Sequence, residues 1–232
     1  ADVYENWTDV PGILAADPKI VKRPAPIETL SYPELQLLSA AGTQVLHESA
    51  VAPVRERQIP LHIRSTFAPD APGTRIGFDA PASLSASGVI GFAGRRPVSM
   101  LRVIFPENTE ETALWEVRAC LNEHRIETFH SACGVEGLCL LLSSGAEADA
   151  LHAAAEQLRE HFSGAQVKLR ENLAVLLALC RSTKDIPKLS AAIEASGAPV
   201  HHLVQTPPGA MFCVNDSQYE QALRAAYGEA FA

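Results

Sequence analysis

The 232-residue chain has no C-x-x-C pair, no surplus of basic residues and no apolar run approaching the ~18 residues of a membrane-crossing helix. Its five cysteines, Cys120, Cys133, Cys139, Cys180 and Cys213, are odd in number. They therefore read as reduced thiols of a cytoplasmic protein, filling cores or lining surfaces, rather than as a disulfide framework. Lys and Arg number 19 against 27 Asp and Glu, a formal charge of -8 that offers phosphate backbones and anionic lipid nothing to hold, which argues against nucleic acid and membrane as partners. The amino terminus lacks the basic and apolar regions of a signal peptide. It also lacks an initiator Met and opens on Ala1-Asp2-Val3-Tyr4, which reads as the middle of a domain with an upstream portion removed.

What is present suits a folded protein of one or two domains, since 47% of the residues are hydrophobic and ~100 to 200 residues make a typical domain. Residues 31–41 place Leu35, Leu38 and Ala41 at helical spacing behind Ser31, an N-cap that forms a capping box with Glu34. A second helix is predicted over 48–57 and a strand over 59–64, where Ile59, Leu61 and Ile63 alternate. The small and polar stretch 77–87 is the best linker in the chain, and a boundary is expected there, with 1–79 as one domain and 80–87 as linker.

Beyond it the pattern repeats without repeating identity. Strand 98–105, helix 111–122, strands 127–131 and 137–142, helix 146–162 and strand 166–169 follow the split order of a ferredoxin-like unit. A second unit runs through strand 173–180, helix 185–196, strands 200–205 and 210–214, and helix 216–231, but lacks its fourth strand. Residues 88–93 have strand character and supply it, so that the first unit (98–170) is nested within the second (88–97 plus 171–232). Arg95 and Arg96 precede the strand at Val98 and are expected to mark a solvated turn.

The most specific string is Trp7-Thr8-Asp9-Val10-Pro11-Gly12-Ile13, followed by Ala16-Asp17-Pro18-Lys19-Ile20-Val21. It resembles a signature of aspartokinases. The resemblance continues through Leu30-Ser31-Tyr32-x-Glu34, Gly42-x-x-Val45-Leu46-His47, Ile59-Pro60-Leu61-x-Ile63-Arg64 and Pro72-Gly73-Thr74-Arg75-Ile76, all in the family's order. Val89-Ile90-Gly91-Phe92-Ala93 and the closing Ala226-Tyr227-Gly228-Glu229-Ala230-Phe231 are similar to the clostridial branch. The implied fold is α/β: the carboxyl-terminal part of an amino-acid kinase sandwich, followed by two ACT modules.

The implied activity is aspartate kinase, which transfers the γ-phosphoryl of ATP to the side-chain carboxylate of L-aspartate with Mg²⁺, at the head of lysine, threonine and methionine synthesis. A nucleotide site needs a hydroxyl and a carboxylate to orient base and ribose, and a cation for phosphate oxygens. By resemblance Thr8 and Asp9 take the first roles and Lys19 the last, with Leu14 and Gln44 at two further nucleotide-side positions. Leu14 stands where many members have Tyr, Lys19 where they have Arg, and Gln44 where many have Lys. The family's Lys-Phe-Gly-Gly-Thr segment, its substrate-binding acid and its Gly-Arg-Gly-Gly-Ser-Asp segment have no counterpart, so this chain alone is expected to be catalytically silent.

ACT modules bind free amino acids between their first strand and first helix at a module interface, and they pair side by side. The resemblance therefore implies a homodimer and an amino-acid effector, lysine or threonine. It places the effector contacts at Glu107, Asn108, Thr109, Thr128, His130, Ser131 and Gln205. Lysine-sensitive relatives tend to carry an Asp near Phe129, and of their Gln-x-Ser-Ser-Glu pattern only Gln205 remains. Plainer readings stand beside these. Asp17-Pro18 is also a turn signal, His47 suits a structural role, and the spacing of His130, Cys133 and Cys139 matches no compact zinc site. Two alternatives remain open: a non-catalytic regulatory subunit of an aspartokinase, and another amino-acid kinase, against which the paired modules argue.

Overall fold

The computed structural model describes residues 1–42, 48–78, 88–106, 112–135, 137–143, 145–206 and 208–231. The expected linker, His47 and the turn at 107–111 lie outside them. The chain divides into two compact units, Ala1–Arg95 with Val175–Val214 and Gln218–Ala232, and Arg96–Ala174 with Asn215–Ser217.

The first unit opens with a four-stranded sheet in the order β1 (Tyr4–Thr8), β5 (Leu61–Ser65), β6 (Thr74–Gly77), β4 (Thr29–Ser31), together with the ribbon β2 (Ile13–Leu14) and β3 (Pro26–Ile27). β1 runs parallel to β5, pairing Tyr4 with Leu61 and Thr8 with Ser65. Period-two burial fits the strands, with Leu61, Ile63 and Ser65 buried in β5 and Thr74 and Ile76 in β6. Helix α1 (Tyr32–Ala40) starts at Ser31, whose hydroxyl accepts from the Glu34 amide while the Glu34 carboxylate accepts from the Ser31 amide at 2.7 Å. The expected capping box is therefore present. Helix α2 is Glu48–Glu56.

The unit also holds hydrogen-bonded strands in the order β11 (His202–Thr206), β12 (Gly209–Asn215), β10 (Gln166–Cys180), β7 (Val89–Ile104), with helices α5 (Ile186–Ala195) and α6 (Tyr219–Phe231). Its core joins sequence-distant parts: Leu30, Leu35, Leu38 and Ile63 share one cluster with Ile90, Ala93, Leu177 and Leu179.

The other unit takes later residues of β7 and earlier residues of β10. The strand order there is β10, β7, β9 (Gly137–Leu142), β8 (Thr128–Gly134), with helices α3 (Ala113–Glu123) and α4 (Ala148–His161). The apolar stripes of the helices are buried: Val117 and Leu121 from α3 and Leu151, Ala155 and Leu158 from α4 meet Leu101, Val103, Leu138, Leu140 and Leu142 of the sheet. Between the helices His161 Nε2 lies 2.7 Å from Glu116 Oε2.

Three expectations need correction. Residues 88–93 and 98–105 are one strand, β7, and Arg95 and Arg96 lie inside it rather than on a solvated turn. Arg96 can remain in a strand because Asp216 meets its Nε at 2.8 Å, and Arg95 donates to the Ala40 carbonyl at 3.4 Å. Residues 166–169 and 173–180 are likewise one strand, β10, and the expected break survives only as Asn172 at φ 55°, a conformation that Asn tolerates. The last helix begins at Tyr219, after a single 3₁₀ turn over Asp216–Gln218. Four of the five free cysteines are buried and Cys133 is exposed; burial, helped by the Asp185 charge, pushes the Cys180 thiol up to about 11.

Glu34 is only 4% exposed, yet it carries a charge. Arg181 grips it with both prongs, Nε to Oε1 at 2.7 Å and Nη2 to Oε2 at 2.9 Å. Burial pushes the Glu34 carboxyl up, but the Arg181 guanidinium and the Ser31 amide and hydroxyl together hold it below its ordinary 4.5. Because the folded value is the lower one, the stabilisation is complete above pH 4.5 and drains away as pH falls through the folded value. Glu34→Ala strands a partly buried guanidinium and should cost on the order of 3–5 kcal/mol in urea denaturation. Glu34→Gln should also flatten the acid limb of the stability profile, and a variant with unchanged midpoint and unchanged acid limb would show that the pair carries no weight.

Candidate functional site

Thr8 closes β1, and the loop after it is fixed by its backbone. The Thr8 carbonyl accepts from both the Thr66 amide at 2.8 Å and the Thr66 hydroxyl at 3.0 Å, which ties the ends of β1 and β5 together. The Thr8 hydroxyl donates to Asp9 Oδ1 at 3.1 Å, with Thr8 half-buried and Asp9 exposed. Carboxyl ends of parallel strands are where open α/β sheets present ligand groups, since the loops there converge.

The chain then crosses β6. Gly12 has φ 128°, and a Cβ there would lie 2.7 Å from Thr74 Oγ1, so a side chain is excluded on both counts. The fully buried Thr74 hydroxyl is the anchor: it accepts from the Ile13 amide at 2.8 Å and donates to the Ile27 carbonyl at 2.6 Å. Leu14 follows in β2, half-buried and paired with Pro26.

Asp17 does adopt a turn. Its carboxylate accepts from the Lys19 amide at 2.8 Å and its carbonyl from the Ile20 and Val21 amides. The turn leaves the Lys19 side chain exposed, with no carboxylate pairing it among the described residues. Thr8, Asp9, Leu14 and Lys19 thus all belong to the first unit, whereas Gln44 falls outside the described residues.

Sequence reasoning missed the group beside Thr8. The Arg64 guanidinium stacks 4.5 Å over the Trp7 ring, and Glu5 takes a hydrogen bond from Arg64 at 3.2 Å and another from Trp7 Nε1 at 3.2 Å. Arg64 and then Trp7 hold the exposed Glu5 carboxyl below its usual range. Only the parallel register, which sets Trp7 opposite Arg64 and Glu5 opposite His62, brings these residues together, and a sequence does not display it.

In the second unit Thr128, His130 and Ser131 line one cavity of about 260 Å³ together with Arg118 and Phe129. A bulge in β8 explains how neighbours in sequence share it: Thr128 pairs with Leu142 and His130 with Leu141, so Phe129 is an extra residue that re-aims its neighbours. Burial lowers the His130 pKa, and its buried Nε2 has no hydrogen-bond partner. Gln205 lies in the first unit, opposite Ala210, and is not among the residues of this cavity. Glu107, Asn108 and Thr109 lie outside the described residues.

Residues 1–65 match the amino acid kinase family. Along its whole length the chain is similar to aspartokinases. Aspartokinase 3 of Bacillus subtilis is 25% identical over 240 residues, covering 100% of this chain and 52% of its own length. The solved aspartate kinase of Clostridium acetobutylicum superposes with a TM-score of 0.87 at 27% identity, over 99% of this chain and 55% of that one. The solved regulatory subunit of aspartate kinase from Thermus thermophilus shares the fold of part of the chain, with a TM-score of 0.50 at 20% identity over 62% of this chain and 99% of that one. The chain spans about half the length of the full-length relatives it matches.

The Thr74 hydroxyl gives this region a direct check. Thr74→Val keeps the shape but leaves the Ile13 amide and the Ile27 carbonyl without a partner, at a cost of about 1–3 kcal/mol each. Thr74→Ser should recover most of that loss in thermal denaturation, and equal melting of Thr74→Val and wild type would remove the hydroxyl's role.

Proposed function

We propose that this chain is the nucleotide-side and regulatory half of an aspartate kinase, which phosphorylates the side-chain carboxylate of L-aspartate with ATP and Mg²⁺ and so serves amino-acid biosynthesis. The observation that carries the reading is the likeness along the whole chain to the Clostridium acetobutylicum enzyme, TM-score 0.87. The match of residues 1–65 to the amino acid kinase family supports it at the end where the nucleotide motif lies.

In this reading Thr8 and Asp9, held at the end of β1, orient the ribose and base, and Leu14 lines the approach. Exposed Lys19 meets phosphate oxygens; a Lys does so as a point charge where Arg would fork. Mg²⁺, when bound with the nucleotide, would supply neutralisation of the phosphate charge. Among the described residues no group of three or more His, Cys, Asp or Glu is arranged to hold a metal. In this reading this chain's own residues hold the nucleotide.

The strands β7 to β12 with α3 to α6 are read as two ACT modules, the first nested in the second. Their strand orders support this: β10-β7-β9-β8 is a strand-helix-strand-strand-helix-strand unit whose first strand is central, and β11-β12-β10-β7 has the same arrangement with β7, which comes earlier in the chain, standing in for the last strand. They would sense a free amino acid and pair with a second copy of the chain. The regulatory-subunit reading shares these modules but predicts no turnover.

The complete protein, incubated with ATP, Mg²⁺ and L-aspartate and trapped with hydroxylamine, should yield the aspartyl hydroxamate; no hydroxamate alongside ADP release would sink the kinase reading. In that protein Lys19→Met should raise the KM for ATP about tenfold with Lys19→Arg near wild type, as for a lost charge-assisted contact. The 232-residue chain alone should show no micromolar ATP affinity in calorimetry, because it holds one wall of the site.

A further inference from the structure

Residues 16–24 form the loop that carries Lys19, and its two ends are fastened to each other and to two later parts of the chain. The Ala15 amide donates to the Ala25 carbonyl at 2.8 Å, which adds one more pair to the β2–β3 ribbon and makes a neck for the loop. The other backbone groups of the neck are taken from either side. On one side the Phe92 amide of β7 donates to the Ala15 carbonyl at 2.7 Å. On the other the Tyr227 hydroxyl of α6 accepts from the Ala25 amide at 2.9 Å. One turn earlier on α6, Arg224 reaches the loop itself: its Nε donates to the Ile20 carbonyl, next to Lys19, at 3.1 Å.

The holding side chains are themselves held. Tyr227 stacks on Phe231 with 4.6 Å between ring centroids and lies 6.4 Å from the Phe92 ring, so its hydroxyl projects from a fixed ring. Arg224 Nη2 donates to Glu220 at 2.9 Å, one turn back on the same helix. Gly91 lets β7 lie against the neck, since a Cβ there would stand 3.0 Å from the Ala15 Cα. An exposed Arg loses rotamer freedom when it is tied to a single carbonyl, and what the bond yields in return is a fixed backbone beside Lys19.

We propose that α6 is a positioning element of the nucleotide site, in which Tyr227 holds the neck and Arg224 the crown of loop 16–24 so that Lys19 already faces the phosphate oxygens before nucleotide arrives. Lys19 has a long, exposed side chain, and the part of it that a fold can fix is the backbone from which it springs. Asp17 fixes that backbone from within the loop by accepting from the Lys19 amide, and α6 fixes it from outside. Ordering the loop in advance removes a cost that binding would otherwise carry. This role rests on the reading of Lys19 as the phosphate-side cation, and it extends the site to two residues that lie 202 and 204 positions from the backbone groups they hold.

Two measurements test it, the first independent of turnover. In the 232-residue chain, Tyr227→Phe keeps the ring and removes the hydroxyl, so hydrogen exchange followed by NMR should find the Ala25 amide exchanging at least about tenfold faster while the amides of α6 and β7 keep their protection. Unchanged exchange at Ala25, or a uniform rise across the chain, would overturn the clasp. In the complete protein Tyr227→Phe and Arg224→Met should each raise the KM for ATP about threefold or more, with kcat and the KM for L-aspartate within about twofold of wild type. In a Lys19→Met background Tyr227→Phe should add less than about twofold, because no cation is left to aim. An unchanged KM for ATP in both variants, or full additivity with Lys19→Met, would overturn the positioning role and leave the kinase reading standing. A wild-type protein that gave no hydroxamate would overturn the kinase reading and this role with it.

Discussion

The ion pair between Glu34 and Arg181 is the constraint on which much of the first unit depends. It joins the first turn of α1 to the residue just after β10, 147 positions along the chain, in a place where the carboxylate is buried and the guanidinium only partly exposed. Isolated burial of such a pair gains little or nothing, because desolvation consumes the attraction. Here the same carboxylate also caps α1 by accepting from the Ser31 amide, so one side chain fixes the start of a helix and its tertiary partner together. A capping residue with two duties is specified by two requirements at once. The hydrophobic cluster that mixes Leu35 and Leu38 with Leu177 and Leu179 supplies the non-directional attraction, and the pair supplies the register.

How much of this was legible depended on how local the cause was. Ser31 and Glu34 sit three residues apart, so their reciprocal bonds could be read from the sequence. The second partner of Glu34 could not, since nothing near Arg181 marks it out. The same division explains the long strands. Gly94, Arg95, Arg96 and Pro97 look like punctuation, and partners distant in sequence, Asp216 and the Ala40 carbonyl, make a charged stretch tolerable within β7. At Asn172 the local signal for a break was real, but the chain satisfies it with one left-handed residue instead of a turn.

The candidate sites divide along the same line. Thr8, Asp9 and Lys19 could be named from the sequence because a loop motif keeps its residues close together, and the structure shows the devices that hold that loop: a doubly accepting carbonyl, a glycine with no room for a side chain and a buried threonine hydroxyl. Thr128, His130 and Ser131 were named with their sheet faces unresolved, and one inserted residue decides that they meet. Arg118 was passed over because a helix cation is ordinarily a solvated one. Only the fold sets it beside the β8 residues with which it lines a cavity.

The placement of the aromatic residues has a spectroscopic consequence. The chain has two tryptophans, and they fall one in each unit. Trp7 sits under the Arg64 guanidinium and immediately precedes Thr8, while Trp115, 70% exposed, lies one helical turn before Arg118 on α3. The protein thus carries its own pair of fluorophores, one stacked and hydrogen-bonded beside the loop after β1, the other open to aqueous quenchers on α3. Replacing either with Phe would leave a single native emitter, so that events at the two candidate sites could be followed independently and without a label.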